Sequence, residues 1–476
     1  LENKGDKGKS KADGTVESDF YIDANTMQTK LNAVSPSMCL AKWKQVTLNL
    51  TTGHSNSCYH PAPHKIPVEL LKDDPAALHN TPYKIARRKE MLEGIKHDEC
   101  SYCWNIEKDG NLSDRSYRSG EPWAAQNFDD CLEDIEAPVP SYVEVNFNSA
   151  CNLKCSYCSP QYSTTWMKET KEFGAYPTTV PHNELKHFTG ERKPIPHKEH
   201  NPYVEAFWEW WPDLYPELKH FRMTGGEPLM DRNTYKVFDY VLANPKPDLH
   251  LDVTSNFSVE PKFFDKYMSY VTQLCEGEKI EHFMQYVSVD TYGDQAEYIR
   301  NGLDFDRLMD NVHRFLTDAP GRNSITFIIT MNMLSIPNID KLLNEILLLR
   351  DKYSKTYQRI WFDTPLLRQP AWQSLEVAPI SLRRKLQNVW LWMQSEIETA
   401  DDPFHGFKDY EIQRIQRDMD WMNSNRLDRI EEQARKADFY KFFNEHDNRR
   451  GTSFTATFPE LATFWAQCKL EADKDV

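Results

Sequence analysis

Six runs dominated by apolar, β-favouring residues lie at 142–148, 219–224, 249–255, 284–290, 324–331 and 359–364. Charged, helix-compatible segments separate them. Such alternation predicts a parallel sheet with crossover helices, since parallel strands can be joined only through long connections. Upstream, Lys44–Leu50 and Asn56–His60 flank Thr51-Thr52-Gly53-His54, which reads as a β-hairpin with glycine in its turn. Pro82–Gly94 has the pattern of a helix that stops at its glycine. From about residue 380 onward the pattern is helical and heavily charged, with Trp390, Trp392 and Met393 on an early helix.

These patterns divide the chain. Residues 1–35, whose first twenty are rich in Lys, Gly, Asp and Ser, are assigned to a disordered tail. A first module spans 36–120, the strand–helix module spans 138–375, and a helical extension spans 376–476. Pro138-Val139-Pro140 is the expected linker. A length of 476 residues allows two to three domains. The balance of 57 basic against 72 acidic residues, formally −15, argues against a general nucleic-acid-binding surface. No run of eighteen apolar residues exists, so no membrane span is expected. No signal-peptide pattern opens the chain, and it begins at Leu1 rather than Met, as a piece lacking its natural start would.

Cysteine placement changes the picture. Seven of ten cysteines fall into two sets with metal-ligand spacing, while Cys131, Cys275 and Cys468 are scattered. A disulfide scaffold is usually a small secreted domain, so a reducing, cytoplasmic setting is expected instead. The tighter set is Cys151-Asn-Leu-Lys-Cys155-Ser-Tyr157-Cys158, just past the first core strand. Three thiolates on a tight loop can grip three corners of a 4Fe-4S cube and leave one iron open. The same residues can hold zinc with a distant fourth ligand, or be core thiols. The looser set has eighteen residues between Cys39 and Cys58, and forty-one before Cys100-Ser-Tyr-Cys103. It makes a four-ligand cage that suits structural zinc or an iron–sulfur cluster equally well.

Further candidates sit at the ends of the expected strands. Thr224-Gly225-Gly226-Glu227-Pro228 follows the second strand. Its glycines allow close backbone approach and its glutamate can accept from an ammonium; a tight turn is the plainer reading. Ser255-Asn256 ends the third strand, and Ser288-Val289-Asp290 the fourth. These small polar residues can bond a ribose hydroxyl or cap the following helix. Arg300, before Gly302, can pair bidentately with a carboxylate or simply be solvated. At the fifth strand end, Thr330-Met331-Asn332-Met333 suits an adenine contact or plain core.

The spacing Cys-x3-Cys-x2-Cys, with Tyr157 before its last cysteine, resembles the radical S-adenosylmethionine (radical SAM) superfamily. The resemblance implies a six-stranded partial (β/α) barrel of the TIM type, open on one side, within an α/β fold. It implies that the open iron chelates SAM, and that an electron from the reduced cluster yields methionine and a 5'-deoxyadenosyl radical. That radical would take hydrogen from a bulky substrate such as a peptide or protein. Gly225, Gly226 and Glu227 then resemble the Gly-Gly-Glu motif that meets the methionyl amino group. Tyr157, Ser255, Asn256, Ser288, Asp290 and Arg300 fall where that family holds the remainder of SAM. The order Cys39, Trp43, Gly53, Cys58, Arg87-Arg88, Met91-Leu92, Gly94, Cys100, Cys103, Glu107 and Ser113-x-Arg115 resembles a twitch (half-SPASM) domain. This implies an auxiliary 4Fe-4S cluster on Cys39, Cys58, Cys100 and Cys103. Twitch domains usually follow the core, whereas this module precedes it. An electron donor such as flavodoxin or ferredoxin is the implied partner.

The competing functions are a two-cluster electron-transfer protein and a zinc-binding interaction scaffold, neither of which needs the Gly-Gly-Glu string. The long insert at 159–217 carries Phe207-Trp-Glu-Trp-Trp211, read as an amphipathic helix packing on the sheet in preference to a substrate groove. His182, His187, His197 and His200 read as loop histidines, not a metal site. Pro365, Arg368 and Trp372, past the sixth strand, are candidates for substrate contact, and the C-terminal helices with Arg449-Arg450 are expected to dock on the open side.

Overall fold

The computed structural model describes residues 20–183, 190–399, 401–424 and 427–474. The tail expected at 1–35 falls outside these residues up to position 19. Within it, Ala24–Val34 form a helix. Asp23 caps that helix through the amides of Asn25 and Thr26, and Met27 and Leu31 bury one face of it. The four-residue spacing of those two apolar side chains outweighs the polar composition around them.

The strands are β1 (Gln45–Asn49), β2 (His54–Asn56), β3 (His64–Lys65), β4 (Tyr142–Asn146), β5 (Lys154–Cys155), β6 (His220–Thr224), β7 (Lys246–Ser255), β8 (Ile280–Ser288), β9 (Arg300–Asn301), β10 (Asn323–Ile328) and β11 (Ile360–Asp363). Nine of them form one sheet in the order β11-β10-β8-β7-β6-β4-β1-β2-β3. From β4 to β11 the neighbours in the sheet are parallel, as the strand–helix alternation predicts, and they follow one another in chain order. Among the described residues the sheet does not close on itself: β11 and β3 are its edges. The first module is not separate from it, because β1 pairs in parallel with β4, Gln45 opposite Tyr142 and Asn49 opposite Asn146. The predicted hairpin is present, but its second arm is His54–Asn56, not 56–60. A side chain at Gly53, where φ is +64°, would run into the Tyr203 ring, so the turn is tight and covered.

The two faces of the parallel strands differ. Val143, Val145, Phe221, Met223, Leu251, Val253, Phe283 and Val287 share one face and are fully buried. Crossover helices cover it. Trp211 from the helix Pro202–Leu214 lies 4.9 Å from the Phe221 ring, and Phe238 and Phe315 from two later helices flank Phe283. The aromatic run at 207–211 is therefore core packing. The alternate residues, including Glu144, Arg222, Asp252 and Tyr286, point to the other face.

The helix Arg429–Arg450 docks over the loop that follows β4. Arg450 pairs with Glu169 and donates to the Lys154 carbonyl at 3.3 Å. Arg449 holds the carbonyls of Gly174 and Ala175, each at 3.0 Å. Trp372 stacks under this helix, 4.3 Å from the Phe442 ring. No described helix is long and apolar enough to cross a membrane.

Candidate functional site

The carboxyl ends of β4, β6, β7, β8 and β10 meet at one rim of the sheet, the usual location of ligand crevices in open α/β sheets. The cysteine loop leaves β4 there. It is stapled by a second, two-stranded sheet: β5 runs antiparallel to β9, with Cys155 opposite Arg300, and the Ser156 amide donates to Ile299 at 2.8 Å. Gly302, at φ +98°, lies where a side chain would press on the Asn152 carbonyl. Ser163 and Thr165 hydroxyls both donate to the Leu153 carbonyl, and Trp166 Nε1 donates to that of Cys155 at 2.8 Å. The loop backbone is thus fixed before any ligand arrives.

Cys155 is buried, and Cys151 and Cys158 are half-buried. The Cys155 thiol lies close enough to the other two to raise the pKa of both. Burial, then Cys155, Glu227 and Cys158, push Cys151 well above the usual thiol value. Burial and Cys155 push Cys158 up to about 12. Cys155 is also raised by burial, opposed by the Arg300 guanidinium. A cationic centre among the three would reverse that balance by favouring thiolates.

The Gly-Gly-Glu turn packs against the loop itself. Gly226 donates to the Asn148 carbonyl at 3.1 Å and Glu227 to that of Ala150 at 2.7 Å. A Cβ on Gly226 would lie 2.3 Å from the Ala150 oxygen, so this position accepts only glycine. Gly225 takes φ +120° beside the Asn146 amide. The Glu227 carboxylate accepts from Ser255 Oγ (2.8 Å), the Asn256 amide (2.9 Å) and the Leu229 amide (3.0 Å). Burial raises it to about 7 in spite of these bonds. Asn256 reaches on to Asn152 of the cysteine loop at 2.7 Å.

Asp290 and Arg300 meet each other. Arg300 Nε and Nη2 hold the two Asp290 oxygens at 3.0 and 2.9 Å, and the Tyr157 hydroxyl donates to the same carboxylate at 2.8 Å. The Thr330 amide adds a fourth donor. Arg300 Nη1 is directed at Cys155 Sγ, 3.8 Å away. Of the sequence candidates, Tyr157, Asp290 and Arg300 therefore form a buried brace behind the loop. Ser288 ends β8 half-buried on the face of Tyr286, and Met331 and Met333 are fully buried core.

The second cysteine set is also brought together. Cys39, Cys58, Cys100 and Cys103 line a single cavity with Met91, Trp104, Arg115 and Arg118. They come from separate elements: the turn before a short helix, the bend just past β2, a 3-10 turn, and the helix Ser101–Lys108. Glu107, Ser113 and Arg115 lock this arrangement. Arg115 grips both Glu107 oxygens at 2.8 and 3.0 Å and donates to the Met38 carbonyl beside Cys39. Burial raises Cys58 to about 11 and Cys100 to about 12. Among the described residues, no three His, Cys, Asp or Glu side chains form a cage for a single metal ion. The fit for a metal group thus rests on convergence of thiols around a space.

The remaining candidates stand apart. His182 packs between Trp372 and Phe442, His197 is exposed, His200 pairs with Glu205, and His187 lies outside the described residues. Arg368 lies over the Trp421 ring. The residues that sequence reasoning missed are the bracing asparagines 148 and 152 and the polar sheet face. The latter is visible as period-two strings: His220-x-Arg222-x-Thr224, His250-x-Asp252-x-Thr254 and His282-x-Met284-x-Tyr286.

No family model matches the chain. No curated protein matches it. Among solved structures, the crystal structure of Streptococcus suis SuiB aligns at a TM-score of 0.31 and 13% identity, over 66% of this chain and 62% of that one. The chain thus spans less than two thirds of that structure's length. A likeness of this size carries no part of the argument.

Proposed function

We propose that the chain is a radical SAM enzyme. The observation that carries this reading is the Cys151–Cys158 loop, braced at the carboxyl rim of a parallel sheet, with the Gly-Gly-Glu turn packed on its backbone. On this reading the six consecutive parallel strands are the wall of a partial (β/α) barrel. Cys151, Cys155 and Cys158 hold three irons of a 4Fe-4S cluster, which when bound supplies an electron and one open coordination position for SAM. The chain's own residues do the rest. The staple of β5 on β9 fixes where the three thiols point. Glu227 Oε2, with one amide bonded to it, keeps lone-pair capacity for an ammonium. Arg300 places positive charge against Cys155 and so favours its thiolate. Tyr157 and Asp290 hold that guanidinium in place.

The four-cysteine cavity is read as an auxiliary cluster site of the twitch kind. Saturated by four thiolates, it has no open position for SAM, which leaves electron relay, substrate binding or stabilisation of the fold as its role. A flavodoxin- or ferredoxin-type donor would supply the electron.

The test is anaerobic incubation of the iron-reconstituted, reduced protein with SAM. The reading expects 5'-deoxyadenosine and methionine from the wild type, and neither from Cys151→Ala/Cys155→Ala/Cys158→Ala. Iron-replete protein that leaves SAM intact would favour the two-cluster electron-transfer reading; protein that takes zinc at both sites would favour the scaffold.

A further inference from the structure

The polar face of the sheet carries a cavity of about 160 Å³ that no residue of the proposed SAM site lines. It adjoins the four-cysteine cavity, since Tyr59 and Arg118 line both. Arg118, on the helix Asp114–Gly120, is surrounded by aromatic rings: its guanidinium carbon lies 5.6 Å from Tyr59, 5.1 Å from Trp123 and 5.0 Å from Tyr142. Its Nε and Nη2 are buried and have no hydrogen-bond partner among the described residues. Buried donors are rarely left in this state, and an arginine fork with two free N–H groups matches a carboxylate.

Glu121 and Asp114 lie close enough to favour the Arg118 cation, but neither hydrogen-bonds those two nitrogens, and Asp114 pairs with His60 at 2.6 Å. Glu144 faces Arg222 at 3.7 Å and accepts from the Tyr59 hydroxyl. Arg222 is itself engaged, donating to Thr254 Oγ1 at 3.0 Å and lying 3.9 Å over the Tyr286 ring. Glu121 and Asp252 are also in the lining, and neither is without an interaction. At the foot of the cavity His220, His250 and His282 stand side by side on three parallel strands, the first two stacked at 4.4 Å. The walls are thus aromatic and polar, with one guanidinium whose Nε and Nη2 donors are unspent.

We propose that this cavity is a binding site for an organic acid, whose carboxylate is held by Arg118 between the Tyr59, Trp123 and Tyr142 rings. Its role as the substrate anchor rests on the radical SAM reading; its ability to bind a carboxylate does not. Tyr142 precedes Asn146 by four strand residues, roughly 13 Å along β4. An acid anchored beside Tyr142 must therefore be elongated to reach the rim where the cysteine loop lies.

Benzoate, with benzamide as its neutral isostere, is the probe. Binding to the full chain is followed by saturation-transfer NMR and calorimetry without SAM or reductant. Benzoate is expected to bind at least about tenfold more tightly than benzamide, and Arg118→Gln to remove that preference. Arg118→Lys should keep part of it, and circular dichroism should match wild type for both variants. The proposal is overturned if wild type does not bind benzoate, if benzamide binds equally well, or if Arg118→Gln binds benzoate as wild type does. It is also overturned if Arg118→Gln changes only the spectrum of iron in the four-cysteine cavity, which would make Arg118 a donor to that site. Loss of benzoate binding beside intact SAM cleavage in wild type would sink this inference alone; the reverse would sink only the radical SAM reading.

Discussion

The two cysteine sets are built in opposite ways. The loop at 151–158 takes its three thiols from one short segment and borrows its rigidity from afar: the β9 strand, the Gly-Gly-Glu turn, Trp166 and Arg450. The four-cysteine cavity takes its thiols from elements spread between residues 39 and 103 and holds them with local braces, chiefly Arg115 on Glu107. A contiguous loop keeps its ligand spacing even if its surroundings loosen. A dispersed cage exists only while the module is folded, and metal binding there is coupled to folding.

That contrast can be broken most sharply at the ligands. Replacing Cys151, Cys155 and Cys158 with Ala should abolish 5'-deoxyadenosine formation and leave about four of about eight irons, read by iron assay and chromatography. SAM cleavage by that variant would remove the loop from the chemistry. Replacing Cys100 and Cys103 should also remove about half the iron. It should lower the thermal midpoint of the protein while sparing uncoupled SAM cleavage. A midpoint equal to that of wild type would show that the dispersed cage does not depend on its metal.

The brace offers a third test. Arg300→Met leaves Asp290 buried without its cation, and breaking such a pair costs about 3–5 kcal/mol. Denaturant unfolding should show that loss, and the loop should lose protection from thiol alkylation. The variant matching wild type in both would mean that the staple does not order the cysteines. Smallest of all, Gly302→Ala places a methyl against Asn152 at a positive φ, a strain of about 1–3 kcal/mol. Its effect should appear as faster alkylation of Cys151 with little change at Cys103.

The parallel sheet was legible because six apolar runs at helix-sized intervals permit few other arrangements. The cysteine loop and the Gly-Gly-Glu turn were legible because each is a local string. The braces were not. Asp290 and Arg300 each carry a charge that suits a ligand, and nothing local says that they lie within 3.0 Å of each other. The union of β1 with β4 was hidden because the intervening 92 residues contain a whole module, and pairing across such a distance leaves no periodic trace. The helix Ala24–Val34 was hidden by a polar composition that only its docking partners offset.

The most direct measurement is electron paramagnetic resonance of the reduced, iron-reconstituted protein, before and after SAM is added. The account predicts two signals, of which the one absent from Cys151→Ala/Cys155→Ala/Cys158→Ala changes shape on SAM addition while the one absent from Cys100→Ala/Cys103→Ala stays unchanged. Spectra that do not respond to SAM, or a response in the signal that depends on Cys100 and Cys103, would contradict it.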